Sequence, residues 1–264
     1  MRPIASPADL ERWRALAVEL ADEADRMSMA GFRHDIRVET KPDRTYVTEV
    51  DRAIEAMIRP RLRAADPGCG VVGEEEGREA EGSAVRWYVD PIDGTHNYMR
   101  GIPVFATLLA VALEGEVQLG VVSAPGLHER WLGWRGGGAW RGDTRLAVSR
   151  VDSLARSQLL YGSRSDDMRS GLVPGLDDTL AGAWRERGYG DFWGHMLVAE
   201  GAAEGMIDTG AYAWDWAAPS LIVEEAGGLF TTAGGERRYD GGSAISSNGL
   251  VHQELLRSLT TSRA

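Results

Sequence analysis

The run Trp87-Tyr88-Val89-Asp90-Pro91-Ile92-Asp93-Gly94-Thr95-His96-Asn97-Tyr98 constrains this chain more than any other stretch. An apolar, strand-like segment breaks at a proline and enters a Gly-Thr turn, with two carboxylates three residues apart at the break. A divalent ion takes hard oxygen ligands, and two Asp side chains with an intervening backbone carbonyl supply them from one short segment. The Gly-Thr step leaves backbone N–H groups free, and a helix starting there points its positive end at an anion. Ligands for a cation and a cradle for an anion, side by side, imply metal-assisted chemistry on a phosphate. Asp, Pro and Gly are also ordinary turn formers, so the rest of the chain must decide between a site and a turn.

The remaining composition narrows the field. With 264 residues, 43% of them hydrophobic and nine tryptophans, the chain is long and apolar enough for a substantial core. No apolar run reaches the length of a membrane span, and Pro3 to Arg14 lacks the apolar centre of a signal peptide. The single cysteine, Cys69, cannot form an intramolecular disulfide, which fits a reducing cytosol, so a cytoplasmic location is expected. A net charge of −11 argues against a nucleic-acid surface. It is awkward for an enzyme of phosphate esters unless bound cations neutralise protein and substrate together.

Residues 7–30 read as an amphipathic helix, with Leu10, Trp13, Ala17, Leu20, Ala24 and Met27 at helical spacing behind Ser6 and Pro7. A second helix is expected from Thr48 through Ile54 and Ile58, with Asp51 in its first turn. Val71-Val72 reads as a buried strand ending at Gly73-Glu74-Glu75-Glu76-Gly77. Phe105–Leu113 and Val117–Ser123 read as a hairpin, and Trp131–Trp134 with the glycine turn 136–138 continues the sheet. After a link at 146–150, strands and helices alternate: Gln158–Tyr161, helices at 177–183, 191–203 and 217–226, a strand at Ser243–Ser246, and a helix at 252–259. This pattern predicts an α+β half over residues 1–145 and an α/β half over 146–264, packed as one body.

Asp51, Glu74-Glu75-Glu76 and Asp215 each stand beside a turn, and each taken alone reads as a helix start or a solvated loop. Together the blocks form a pattern: Lys-Pro-Asp-x-Thr-x-Val-Thr-x-x-Asp (41–51), Gly-Glu-Glu (73–75), Trp-x-x-Asp-Pro-Ile-Asp-Gly-Thr-x-Asn (87–97), Trp-Asp-x-Ala (214–217) and Glu-Ala-Gly-Gly (225–228). In order and spacing they resemble the inositol monophosphatase family over nearly the whole chain. The resemblance implies a layered αβαβα sandwich of the sugar-phosphatase type and a lithium-sensitive, magnesium-dependent phosphomonoesterase. Glu74, Asp90 and the Ile92 carbonyl would hold one magnesium. Asp90, Asp93 and Asp215 would hold a second, with Asp90 bridging, and a third, weaker ion near Glu74 is common in the family. Asp51 and Thr95 would orient the attacking water, with Glu75 nearby, and Gly94 and Thr95 would bind phosphate through backbone N–H groups. A homodimer is also implied.

Clustered carboxylates would repel one another unless cations entered, and two metals suit direct attack by water without a His or Cys nucleophile. Substrate choice lies mainly in the second half. Arg187-Gly-Tyr189-Gly190-Asp191-Phe192, Arg100-Gly-Ile-Pro-Val and Val-Val-Ser-Ala-Pro (121–125) look most like the histidinol-phosphate phosphatases of the family. Their substrate carries an amine and an imidazole, which Asp191 and Asp208 would receive; Asp191 also reads as a helix N-cap. His96 departs from the pattern, since that branch tends to have Lys there. An inositol-1-phosphate or broad polyol phosphatase is the alternative enzyme, and a non-catalytic metal-binding protein the alternative class.

Overall fold

The computed structural model describes residues 3–42, 45–80 and 82–261, so Asp43 and Arg44 of the 41–51 block lie outside the described residues. Helix α1 (Pro7–Gly31) begins where the Ser6 hydroxyl accepts from the Asp9 N–H, and it buries Trp13, Ala17, Leu20, Ala21 and Ala24 along one face. A polar hairpin, β1 (Val38–Thr40) and β2 (Tyr46–Thr48), leads into α2 (Glu49–Ala65). Thr48 and Asp51 cap α2 reciprocally: the Asp51 N–H donates to Thr48 Oγ1 at 3.3 Å and the Thr48 N–H to Asp51 Oδ2 at 2.8 Å.

Next come β3 (Gly70–Gly73), β4 (Gly77–Glu79), β5 (Val85–Asp93), the short α3 (Thr95–Met99) and β6 (Ala106–Leu113). They are followed by β7 (Glu116–Ala124), β8 (Glu129–Trp134), β9 (Gly138–Arg141) and β10 (Thr144–Arg145). These strands make an eight-stranded sheet in the order β10-β9-β8-β7-β6-β5-β3-β4, antiparallel except where β3 runs beside β5. The break expected at Pro91 is instead a register shift. Strand β5 continues to Asp93, and its pairing with β6 slips between Asp90 and Asp93 because Pro91 has no N–H to give the ladder.

The second half supplies β11 (Gln158–Tyr161), α4 (Arg164–Ser170), α5 (Leu176–Gly182), β12 (Arg185–Arg187) and α6 (Asp191–Ala199). It continues with β13 (Gly205–Thr209), α7 (Ala213–Glu225), β14 (Leu229–Thr231), β15 (Ser243–Ser247) and α8 (His252–Thr260). Its five strands are ordered β12-β11-β13-β15-β14. Helix α6 stops at Ala199 rather than 203, because the chain turns at Gly201 with φ +74. Helix α7 begins four residues before the expected 217, which moves Trp214 and Asp215 into its first turn.

Helices α1 and α2 cover one face of the large sheet, packing Ile54, Ile58 and Leu62 against Trp87, Val89 and Leu109. Helices α6 and α7 fill the space between the two sheets, and α5 and α8 cover the outer face of the small one. The result is the αβαβα sandwich. The middle layer is tight: a Cβ on Gly120 of β7 would stand 2.8 Å from the Ala218 carbonyl oxygen of α7. No described helix is long and apolar enough to cross a membrane.

Candidate active site

Chain ends from both sheets meet at one edge of this middle layer. The end of β5 brings Asp90, Ile92 and Asp93, the turn after β3 brings Glu74, and the first turn of α7 brings Asp215. Carboxylate oxygens of Asp90, Asp93 and Asp215 lie within 4.8 Å of one another. Together with Glu74, Ile92 and Thr95 they line a cleft of about 150 Å³. A second cleft of about 230 Å³ shares Glu74, Asp93, Asp191 and Asp215 with it and adds Asp208 and His195.

Each carboxylate is held by an N–H group. The Ile92 N–H donates to Asp90 Oδ1 at 3.0 Å, the Phe192 N–H to Asp93 Oδ2 at 2.6 Å, and the Tyr212 N–H to Asp215 Oδ2 at 2.5 Å. No lysine or arginine pairs with any of the three among the described residues. Burial, then Glu74, Asp215 and Asp93, pushes Asp90 well above the usual carboxylate range. Burial and the neighbouring Asp191 and Asp215 do the same to Asp93, and burial with Glu74 brings Asp215 up to about 7. Such a cluster holds protons or it holds cations.

Gly94 closes the turn after Asp93 at φ +81, and a Cβ there would stand 2.9 Å from the Val104 carbonyl oxygen, so glycine is required. The first N–H groups of α3 have no partner within the helix, and Thr95 Oγ1 donates to the Ile92 carbonyl at 3.0 Å. Asp191 is not the N-cap of α6. Gly190 holds that position, and Asp191 is the first helical residue, at φ +55. Its carboxylate, open to the cleft, accepts from Asn97 Nδ2 at 3.1 Å; the surrounding protein and Asp208 push it up to about 6. Asp208 accepts from Trp216 Nε1 at 2.8 Å.

Three of the sequence-derived site residues line neither cleft. Asp51 is fully buried under α2's cap, where burial raises it to about 6 and its Oδ1 has no partner among the described residues. Glu75 is raised to about 7 by burial, against the pull of Lys41, whose Nζ donates to Glu75 at 2.7 Å and Glu74 at 2.8 Å. Arg187 donates to its neighbour's carbonyl, that of Glu186, at 2.6 Å.

Sequence reasoning missed the support under this site. Buried Glu55 accepts from the Glu75 and Glu76 N–H groups at 2.8 and 3.0 Å and from Arg59 Nε at 2.7 Å, fixing the turn that carries Glu74. A Glu-Arg pair four apart on the apolar face of α2 is the signal that was available. His195 was missed too: Nδ1 meets Ser246 Oγ at 2.6 Å and Nε2 stands 3.8 Å from Asp208.

An αβαβα sandwich that gathers uncompensated carboxylates over a small cleft defines a phosphoric monoester hydrolase of the layered sugar-phosphatase type, and its donor set fits divalent cations. The sequence matches the model of the inositol monophosphatase family over residues 9–263, and the chain belongs to that family. It is 44% identical over 253 residues to a histidinol-phosphatase of Mycobacterium tuberculosis, covering 92% of this chain and 96% of the relative. It is 34% identical over 251 residues to an inositol-1-monophosphatase of Mesorhizobium japonicum, covering 92% and 94%. Among solved structures it resembles the extragenic suppressor protein suhB of Bartonella henselae, with a TM-score of 0.87 and 29% identity over 95% of this chain and 99% of that one.

Proposed function

We propose that this chain is a magnesium-dependent histidinol-phosphatase that releases phosphate from L-histidinol phosphate, a step of histidine biosynthesis, by direct attack of water. The observation that carries the substrate is the 44% identity to a histidinol-phosphatase, against 34% to an inositol-1-monophosphatase over a similar span. The chemistry of the second cleft supports it. Asp191 and Asp208 offer two carboxylates to a substrate whose organic part carries an amine and an imidazole.

In this reading Glu74, Asp90 and the Ile92 carbonyl hold one magnesium. Asp90, Asp93 and Asp215 hold another, Asp90 serves both, and a third binds weakly near Glu74. Magnesium there supplies positive charge to the phosphoryl oxygens and acidifies water. The chain's own groups do the rest. The Gly94 and Thr95 N–H groups seat the phosphate. Thr95 Oγ1, anchored on the Ile92 carbonyl, orients the water, and Asp51 and Glu75, which line neither cleft, act on it only from behind the cleft wall. Lys41 balances Glu74 and Glu75 from the outer side. Asp191 and Asp208 select the organic part; Arg187, outside both clefts, reaches it only by leaving the Glu186 carbonyl. Residues 1–145 thus carry the metal-site motifs, and 146–264 the recognition residues and the last ligand. A cytoplasmic homodimer completes the reading.

His96 favours the second reading, a phosphatase of inositol 1-phosphate or another polyol phosphate. It lines the first cleft against Tyr46, ring centroids 5.0 Å apart, in place of the Lys that the histidinol branch tends to have. The deciding experiment is phosphate release from histidinol phosphate, inositol 1-phosphate, fructose 1,6-bisphosphate and a nucleotide 3′-phosphate. The reading expects the highest kcat/KM on histidinol phosphate; no preference over inositol 1-phosphate turns the assignment to the alternative.

A further inference from the structure

A cavity of about 190 Å³ opens at the other end of β5 and α7 from the carboxylate cluster. Arg86 and Tyr88 reach it from the start of β5, and Glu224 from the last turn of α7. The four strand residues from Arg86 to Asp90, or the nine helix residues from Asp215 to Glu224, separate it from the cluster by on the order of 13 Å.

Four guanidinium groups and three carboxylates face this cavity. Three of the arginines are matched. Arg135 pairs with Glu224 at 3.0 Å, Arg237 with Glu116 at 3.0 Å and Glu224 at 2.5 Å, and Arg238 with Asp240 at 2.8 Å. Arg86, half-buried, has no ion pair and no side-chain hydrogen bond among the described residues, and stands near the phenol of Tyr239. Tyr88 lies two residues on, on the same face of β5. The Tyr239 hydroxyl has a single proton to give, to the Gly115 carbonyl at 3.0 Å or to the Tyr88 hydroxyl at 3.2 Å, and Tyr88 is the donor in neither pair, so its own proton can turn to a ligand. One cation and one phenol proton therefore meet in a recess, in a chain of net charge −11, with no acceptor assigned to either.

We propose that this cavity is a second ligand site, for a small molecule bearing an oxyanion, either a carboxylate or a phosphate. Arg86 and Tyr88 hold the oxyanion by charge-assisted hydrogen bonds, and the ring of Tyr239, edge-on to Tyr88 at 5.4 Å, packs against the organic part. A ligand there touches the last turn of the helix whose first turn carries Asp215. The site is independent of which ester the first cleft hydrolyses.

The test is titration of the magnesium-loaded full chain with succinate and, separately, with inorganic phosphate, followed by the amide NMR signals of Gly115 and Tyr239. Saturable shifts at those amides are expected, and the probe that saturates at lower concentration identifies carboxylate or phosphate as the source. Arg86→Gln weakens that binding about tenfold or more, the scale of one charge-assisted hydrogen bond. Asp90→Asn leaves it in place, which separates it from phosphate bound at the first cleft. Tyr88→Phe, which removes only the hydroxyl, weakens it severalfold and carries the test if Arg86→Gln does not fold. Shifts that never saturate with either probe, or an affinity unchanged in the folded variant, overturn the proposal.

Discussion

Glu55 and Asp90 are both shut away from water, at 0% and 1% exposure, yet their surroundings have opposite sign. Glu55 sits against the Arg59 guanidinium and two backbone N–H groups, and Arg59 reaches on to Glu79 at 3.3 Å. Its charge is answered from within the chain. Asp90 meets one N–H group and then Glu74, Asp93 and Asp215, so its charge is answered by further negative charge. Burial of a carboxylate therefore says little about function until its partners are counted. The first cluster stiffens a turn; the second stores repulsion that an arriving cation relieves.

The largest effect expected is on the paired cluster. Arg59→Met leaves Glu55 buried with its counter-charge gone, and removing one partner of a buried pair costs about 3–5 kcal/mol. Urea unfolding should show that loss. A variant as stable as wild type would mean that Glu55 is not held as an ion pair, and the contrast with Asp90 would disappear.

At the unpaired cluster the expectation inverts. Asp90→Asn should cost a factor of about 10² or more in turnover, while raising the melting temperature of chelated protein because the folded chain no longer has to protonate that buried carboxylate. A folded variant that keeps a tenth or more of wild-type turnover at saturating magnesium contradicts the role given to Asp90. A smaller effect sharpens the boundary between metal and substrate carboxylates. Asp191→Asn keeps the positive φ, which Asn tolerates, but removes the charge. It should lower kcat/KM about ten- to a hundredfold on histidinol phosphate, from roughly 1.5–3 kcal/mol, and far less on glycerol phosphate. Equal losses on both esters would remove Asp191 from recognition.

A further effect lies in pH dependence. Asp215, raised from 3.8 to about 7, and Asp191, raised from 3.8 to about 6, hold protons in the folded chain that the unfolded chain has already released. Their stabilising contribution is fully present below 3.8 and is lost as pH rises through the folded values. Chelated protein should thus become less stable between about pH 4 and about pH 7, and magnesium should flatten that slope. A chelated protein that gains stability across this window would show that the cluster is not protonated.

Much of this molecule was legible in its residues because local rules and the final packing agree. Ser6 and Thr48 start helices where caps are expected, and Gln158–Tyr161 is a strand with the expected bounds. Strand β13 and helix α4 escaped because their stability comes from neighbours: β13 is the centre of its sheet, flanked by β11 and β15. The slip in β5 past Pro91 was hidden for the same reason, since it depends on β6. At the site, the residues of the Asp90 block come together as one segment must. The meeting of Asp93 with Asp215 and Asp191 depends instead on how α6 and α7 pack between the sheets, which pattern alone does not encode.

The central claim is that the carboxylates left without an internal partner are the seat of catalysis once cations neutralise them. It is tested most directly by the initial rate of phosphate release from histidinol phosphate, measured on one preparation after exhaustive chelation and again after magnesium is returned. The account predicts that release stops in the chelated protein and recovers with magnesium. Full turnover in the chelated protein would contradict it.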